Sequence, residues 1–268
     1  MPNKVQKYLK KIINDKEALI GLVFYEFKKQ YLGSYVGVIW VFLQPIFYML
    51  VIMFVLTLGM RANLTQNNEN FALWLLLGLI VWFFISESIR KGAECVVRSS
   101  YLVKKPGFTI EYLPIISVIA ASMTHIVLFV ILIFALLVND IYPTIYWVQI
   151  PYFMILGVLL VSGFVFLLSA LRVFVKDISN IVIIIMQFLF WTTPIFWSTD
   201  LVPERFKILL SINPFHYIID GYRSSIFKNE WVLLNVTQNL FFLMWVLLVL
   251  SLGLFLFRRL KAHFADML

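Results

Sequence analysis

The chain has 268 residues, 62% hydrophobic and 13% charged, where soluble domains run at about 45–50% and about 25%; no water-soluble fold of this size hides that much apolar surface. Its net charge of +8 does not point to nucleic acid, because the basic residues form short clusters beside apolar runs, where anionic headgroups and membrane topology account for them. The single Cys95 excludes an internal disulfide and a cysteine-based metal site, and His125, His216 and His263 are too scattered for a ligand cluster, so no metal ligand and no catalytic residue is assigned.

The positive charge is patterned along the chain. Lys4, Lys7, Lys10, Lys11, Lys16, Lys28 and Lys29 precede the first long apolar run, and five basic residues lie from Arg90 to Lys105. Arg172 with Lys176, then Arg258, Arg259 and Lys261, complete 17 of the 22 basic residues in alternate gaps. This asymmetry marks a multi-pass inner-membrane protein with both termini cytoplasmic and an even number of crossings.

In chain order, the first residues are polar or amphipathic, so no cleavable signal peptide is expected. Within 15–32, Leu19, Ile20, Val23, Phe24, Phe27 and Tyr31 follow helical spacing, while Lys16, Glu26, Lys29 and Gln30 break any spanning run. This reads as an amphipathic helix in the cytoplasmic interface, either a plain membrane anchor or a docking surface. Six segments then approach the about 20 apolar residues a crossing needs: 35–59, 71–88, 113–138, 150–171, 178–197 and 232–257. The fold class is an all-α polytopic membrane protein of one domain. Its cytoplasmic connections are 90–112 and 172–177, and its outer connections 60–70, 139–149 and 198–231. The last holds two short helix-like pieces, Glu204–Ile212 and His216–Phe227, around Asn213-Pro214, and its acids Asp200, Glu204, Asp220 and Glu230 balance Arg205, Lys207, Arg223 and Lys228. The pieces either dip back into the outer leaflet, which requires that they pack on protein, or rest on the surface as a loop.

Polar groups inside the crossings are costly. His125, beside Ser122 and Thr124, reads as a hydrogen-bonded packing residue, and Glu87 and Glu94 as partners of Arg90, Lys91 or Arg98. Trp74, Trp147 and Trp231 read as an aromatic belt. Trp191, Phe196 and Trp197 flank Pro194, which leaves a backbone carbonyl of a crossing without its usual donor; they are belt residues or the lining of an outer exit. Gly33 and Gly37 permit a close helix approach, within the chain or at a dimer seam. No Gly is followed by Lys-Ser or Lys-Thr, so the chain carries no phosphate-binding loop and any ATP would be bound by another chain.

Several stretches carry a resemblance. Phe24-Tyr25-Glu26-Phe27-Lys28-Lys29-Gln30-Tyr31-Leu32-Gly33-Ser34-Tyr35-Val36-Gly37-Val38-Ile39-Trp40, leading into Gln44-Pro45, resembles the opening of ABC-2-type exporter permeases. Trp191-Thr192-Thr193-Pro194-Ile195-Phe196, Leu201-Val202-Pro203-Glu204-Arg205-Phe206 and Ile212-Asn213-Pro214-Phe215 are similar to their polysaccharide-export branch. The closing Leu260-Lys261-Ala262-His263-Phe264-Ala265-Asp266-Met267-Leu268 resembles the end of O-antigen export permeases.

The resemblance implies a homodimer of six-helix subunits in the bacterial inner membrane, with two copies of a separate ABC ATPase below. That ATPase would hold ATP and Mg, this chain would bind no cofactor, and the cargo would be a lipid-linked polysaccharide, O-antigen first. Glu26, Phe27, Lys28, Lys29 and Tyr31 of the interface helix, with Arg98, Tyr101, Lys104 and Lys105 of the 90–112 loop, would contact the ATPase, although the lysines also serve topology. Trp191, Pro194, Phe196, Trp197 and Phe215 would line or gate the exit, since aromatic faces stack on sugar rings without holding them tightly. Lys28, Lys29 and Arg90 would meet the lipid headgroup. Teichoic acid and capsule exporters, and ABC-2 exporters of drugs or lipids, share this architecture. A membrane-embedded glycosyltransferase would have to draw on Asp200, Glu204, Asp220 and Glu230.

Overall fold

The computed structural model describes residues 15–29, 37–55, 71–199 and 212–268, with the single positions 35, 202, 203, 205 and 210. Among the described residues every regular element is helical. They are α1 (Lys16–Lys29), α2 (Trp40–Phe54), α3 (Phe71–Arg98), α4 (Ser100–Val103), α5 (Tyr112–Val138), α6 (Ile150–Phe174), α7 (Ile178–Thr192), α8 (Pro214–Arg223), α9 (Val236–Leu260) and α10 (Phe264–Met267).

Four stretches are long and apolar enough to cross a membrane: Phe71–Arg98, Tyr112–Val138, Ile145–Phe174 and Val236–Met267. The expected crossings 35–59 and 178–197 appear as helices of 15 residues each. At 1.5 Å per residue each spans about 22 Å, short of the about 30 Å hydrocarbon layer. On α7 the cause is local, because Pro194 stands two residues beyond the helix end. The residues after Val55 lie outside the described set.

The segment expected to end at Ser88 is longer. α3 continues to Arg98, so the first part of the expected 90–112 connection is helix. Glu87 and Lys91 form an i,i+4 ion pair across the expected boundary. Beyond it Ile89, Gly92, Ala93 and Val96 extend one buried face. At the other end of the chain, the expected 232–257 crossing opens with a short 3-10 turn at Val232–Leu234, and its helix runs from Val236 to Leu260.

α3 is the hub, packed by α5, α6, α7 and α8. Leu75, Leu77, Leu79, Ile80 and Ile85 are at most 1% exposed, so the centre of the described bundle is filled by side chains. α6 and α9 cross closely. A Cβ on Gly163 would stand 2.7 Å from the Leu250 nitrogen and 2.8 Å from its Cα, and one on Gly253 would collide with the Gly163 carbonyl. The interface helix α1 docks on α5: Val23 packs with Tyr112 and Ile116, and Tyr112 donates to Asp15 Oδ2 at 2.9 Å. Ile20 and Phe24 of the same helix remain 54% and 48% exposed, so α1 has one edge on protein and one apolar edge facing outward.

The α6–α9 crossing admits a direct check. Gly163→Ala is expected to destabilise the chain by about 1–3 kcal/mol through overpacking against backbone. Gly21→Ala, where no atom lies within 4 Å of the added Cβ, should unfold no earlier than the parent. Thermal unfolding of the purified chain separates the two; equal midpoints for all three proteins would contradict the packing described.

Candidate functional site

At the end of the bundle expected on the cytoplasmic side, α1, the end of α3, α4 and the start of α5 surround one cleft. Tyr25, Glu26 and Lys29 face Cys95, Arg98 and Tyr101 across it. Two stretches separated by some 70 residues of chain, each expected from the resemblance to contact a partner, are thus brought together. Lys29 Nζ lies 5.9 Å from the Tyr25 ring centre, and Tyr101 is 60% exposed. Lys104 and Lys105 follow α4 on the surface, ahead of a turn at Gly107 with φ +82°. Phe27 is half-buried on α1. Lys28 and Arg90 are exposed and do not line the cleft. Tyr31, Gly33 and their neighbours lie outside the described residues.

α4 rests on an apolar base. Val103 is buried with Val96, Leu113, Phe166, Val173, Phe257 and Phe264. Phe264, on the short terminal helix α10, is fully buried and edges onto Phe257 at 5.3 Å. Lys261 pairs with Glu111 at the start of α5. Sequence reading missed this role for the chain end; the signal was a Phe placed one helical turn beyond a basic cluster. Glu94 also differs from expectation. Its carboxylate meets Arg172 at 3.2 Å and the Ser179 hydroxyl, not a residue of its own helix, and so joins α3, α6 and the start of α7.

The opposite end of the bundle is built around the break at Pro194. Thr193 N closes the last turn of α7 on Leu189 O at 2.9 Å, and Ile195 N turns back to Thr193 O at 2.7 Å. The carbonyls left over are taken by Arg223 of α8. Its Nη1 donates to Pro194 O at 2.6 Å, and its Nη2 donates to Ile195 O and to Trp74 O at 3.3 Å. Its guanidinium carbon lies 3.3 Å from the Trp74 ring centre, a cation–π contact, and Arg223 is only 4% exposed. Gly78 makes room, since a Cβ there would stand 3.0 Å from Arg223 Cζ. Arg223 therefore clamps the broken end of α7 onto α3. Arg223, expected only as part of the charge balance of this segment, is bonded to carbonyl oxygens and lies over an indole, while Lys228 pairs with Asp220 at 3.6 Å.

Asn213 links the same pieces. Its Oδ1 caps α8 by accepting from Phe215 N at 3.0 Å, and its Nδ2 donates to Thr193 Oγ1 at 2.8 Å. α8 is inside the bundle. Phe215 is 4% exposed, with Trp82 at 6.3 Å and Phe164 at 5.7 Å. Tyr222 reaches His125 Nε2 at 3.1 Å, near the middle of α5. Phe215, expected on the exit path, is thus an anchor that holds α8 in place. The partner piece Glu204–Ile212, with Asp200, falls largely outside the described residues.

Of the exit aromatics, Trp191 is 58% exposed and meets Phe196 edge-on at 5.1 Å, and Trp197 Nε1 points to Trp191 O at 3.4 Å. Trp74, expected in an aromatic belt, is instead buried under Arg223. Trp231 is 39% exposed against Tyr146. Asn239, which sequence reading passed over, gathers the base of this region. It accepts from Tyr152 at 3.1 Å and from Tyr217, and donates to Leu233 O at 2.9 Å and Asn235 O at 3.0 Å. Among the described residues no group of three His, Cys, Asp or Glu side chains is placed to hold a metal ion.

Residues 17–227 match the family model of the ABC-2 type transporter. The chain is 25% identical over 253 residues to the O-antigen export system permease protein RfbA of Klebsiella pneumoniae, covering 94% of this chain and 95% of that one. It is 27% identical over 215 residues to the protein of the same name from Myxococcus xanthus, covering 79% and 81%. The chain belongs to the ABC-2 type transporter family and is a multi-pass membrane protein.

The clamp should dominate the stability of the outer end. Arg223→Gln leaves buried carbonyls without donors, at about 1–3 kcal/mol each, so a loss of about 3 kcal/mol is expected in denaturant unfolding. Lys228→Gln removes a half-exposed pair and should cost under about 1 kcal/mol. Similar losses for the two variants would contradict the clamp.

Proposed function

We propose that this chain is the transmembrane subunit of an ATP-driven exporter of lipid-linked polysaccharide, with O-antigen as the cargo class. The observation that carries the reading is the similarity to O-antigen export permeases over 94% of the chain, which takes in the outer segment and the break at Pro194. ABC-2 permeases normally work with an ABC ATPase, and this chain has no phosphate-binding loop of its own. ATP and Mg then belong to that partner, two copies of which serve a homodimer of this chain. The basic clusters put both termini and α4 on the cytoplasmic side of the bacterial inner membrane.

In this reading the ATPase grips α1 and α4 around the Glu26–Arg98 cleft. Val103 and Phe264 give α4 a firm base, so a push on it passes into α3, α6 and α9 rather than being lost in a loose loop. The filled centre of the described bundle supports a reading in which the conduit for the glycan lies at the seam between two copies. Trp191, Phe196 and Trp197, on the exposed side of the α7 break, supply weak stacking faces at the outer end. Lys28, Lys29 and Arg90 remain solvent-facing cations for the lipid headgroup. A glycosyltransferase is less well supported, because Asp220 is held by Lys228.

Charge reversal of Lys104 and Lys105 to Glu should leave the protein inserted while sharply reducing the ATPase recovered with it; full co-purification with normal export would sink the coupling assignment. The Trp191→Ala, Trp197→Ala pair should insert and bind ATPase but lower surface glycan several-fold. Export of full-length chains at the parental level would remove these residues from the exit.

A further inference from the structure

Beside the clamp lies a second, smaller cleft, of which the export reading uses only Trp197. Trp74, Trp197, His216, Asp220, Arg223 and Lys228 line it. Two of these residues carry buried nitrogens without a hydrogen-bond partner, Arg223 Nε and His216 Nδ1. Arg223 spends three of its four terminal N–H groups on the carbonyls of Pro194, Ile195 and Trp74, while its Nε–H has no acceptor. Buried donors without acceptors are costly, and here both stand at one cleft.

The chemistry of a matching ligand follows from what is missing. Arg223 Nε can only donate, and His216 Nδ1 donates when that nitrogen carries the proton. Among the described residues the lining bears two fixed cations, Arg223 and Lys228, against one acid, Asp220, which already faces Lys228 at 3.6 Å. A sugar brings as many donors as acceptors and would compete for that single carboxylate. A phosphate group brings negative charge and more acceptors than donors, and matches both orphaned nitrogens and the excess positive charge. The two indoles, Trp74 and Trp197, form apolar walls of the kind that flank a headgroup just above acyl chains. The cleft sits where α3 begins and α7 breaks, at the end of the bundle opposite the Lys104–Lys105 face.

We propose that this cleft is a binding site for a phosphate group on the outer side of the membrane, with His216, Lys228 and Arg223 Nε as its donors. The phosphate is that of a lipid headgroup or of free inorganic phosphate. The site goes beyond the export reading, and its test reads binding, not export, so the two stand or fall separately.

The full chain would be placed in nanodiscs of phosphatidylcholine alone, or of phosphatidylcholine with phosphatidylglycerol, and lipid retention read by native mass spectrometry, with inorganic phosphate added as competitor. Arg223 is left intact because it holds the clamp. The expected result is selective retention of phosphatidylglycerol, weakened about tenfold by His216→Gln with Lys228→Gln, the scale of losing charge-assisted bonds. Lys176→Gln with Arg259→Gln, two exposed cations at the opposite end, should leave retention unchanged. Thermal stabilisation by inorganic phosphate in pure phosphatidylcholine, abolished by the same pair of substitutions and without phosphatidylglycerol selectivity, would identify free phosphate as the source. Equal retention by parent and His216/Lys228 variant with no phosphate effect, or a loss produced only by the Lys176/Arg259 variant, overturns the proposal.

Discussion

A helix that breaks inside an apolar bundle leaves carbonyls that neither lipid nor aliphatic side chains can satisfy. In this chain the break at Pro194 is met by one side chain, Arg223, which donates to Pro194 O, Ile195 O and Trp74 O and lies flat on the Trp74 ring. Taking a guanidinium out of water is itself expensive, and the cost is offset because three oxygens and an aromatic face replace its hydration. Much of the outer end follows from that exchange. α8 must enter the bundle to deliver Arg223, so Phe215, Ile218, Ile219 and Tyr222 are buried on the way. Gly78 and Gly221 must be small, since a Cβ on the first would meet the guanidinium and one on the second the Phe153 ring. Trp191 closes α7 just before the break and Trp197 follows it, because the helix cannot continue.

The cytoplasmic end solves a different problem. A short helix of four residues has little stability of its own, yet a contact that transmits force has to be stiff. α4 gains stiffness from the Val96–Val103–Phe264 cluster beneath it and from ties between distant elements, Lys261 with Glu111 and Arg172 with Glu94. The same packing brings α1 beside the end of α3, so the two surfaces proposed to meet the ATPase form one platform. Between the platform and the clamp runs α3, 28 residues long and buried along most of its length. Like α6 and α9, it touches both ends, and a displacement of α4 would reach the Trp74–Arg223 contact through it.

The long apolar helices, the interface helix and the short helix after Asn213-Pro214 are legible in the sequence because each rests on a local signal: run length, helical spacing, a capping residue before a proline. The end of α3 is not, since basic residues at 90 and 91 read as a loop until Lys91 is seen to pair with Glu87 one turn earlier. Arg223 is the clearest miss. In sequence it is one of four basic residues in a segment with four acids, and nothing nearby announces that its partners are carbonyls freed by a proline 29 residues away. Its neighbours Gly221, Tyr222, Ser224 and Ser225 are small or aromatic, which in hindsight suits a buried position. Asn239 and Phe264 escaped for the same reason, their partners being distant in the chain. The aromatics around Pro194 stood out because the proline sits among them, while Trp74 was misread because a tryptophan near a helix end looks the same whether it faces lipid or a buried cation.

The account's central claim is that this chain moves a completed, lipid-linked glycan outward, and the most direct measurement is depletion of the protein in its own host followed by locating that glycan. The account predicts that full-length polymer accumulates on the cytoplasmic side and disappears from the surface. Polymer that still reaches the outer face at normal length and amount would contradict it.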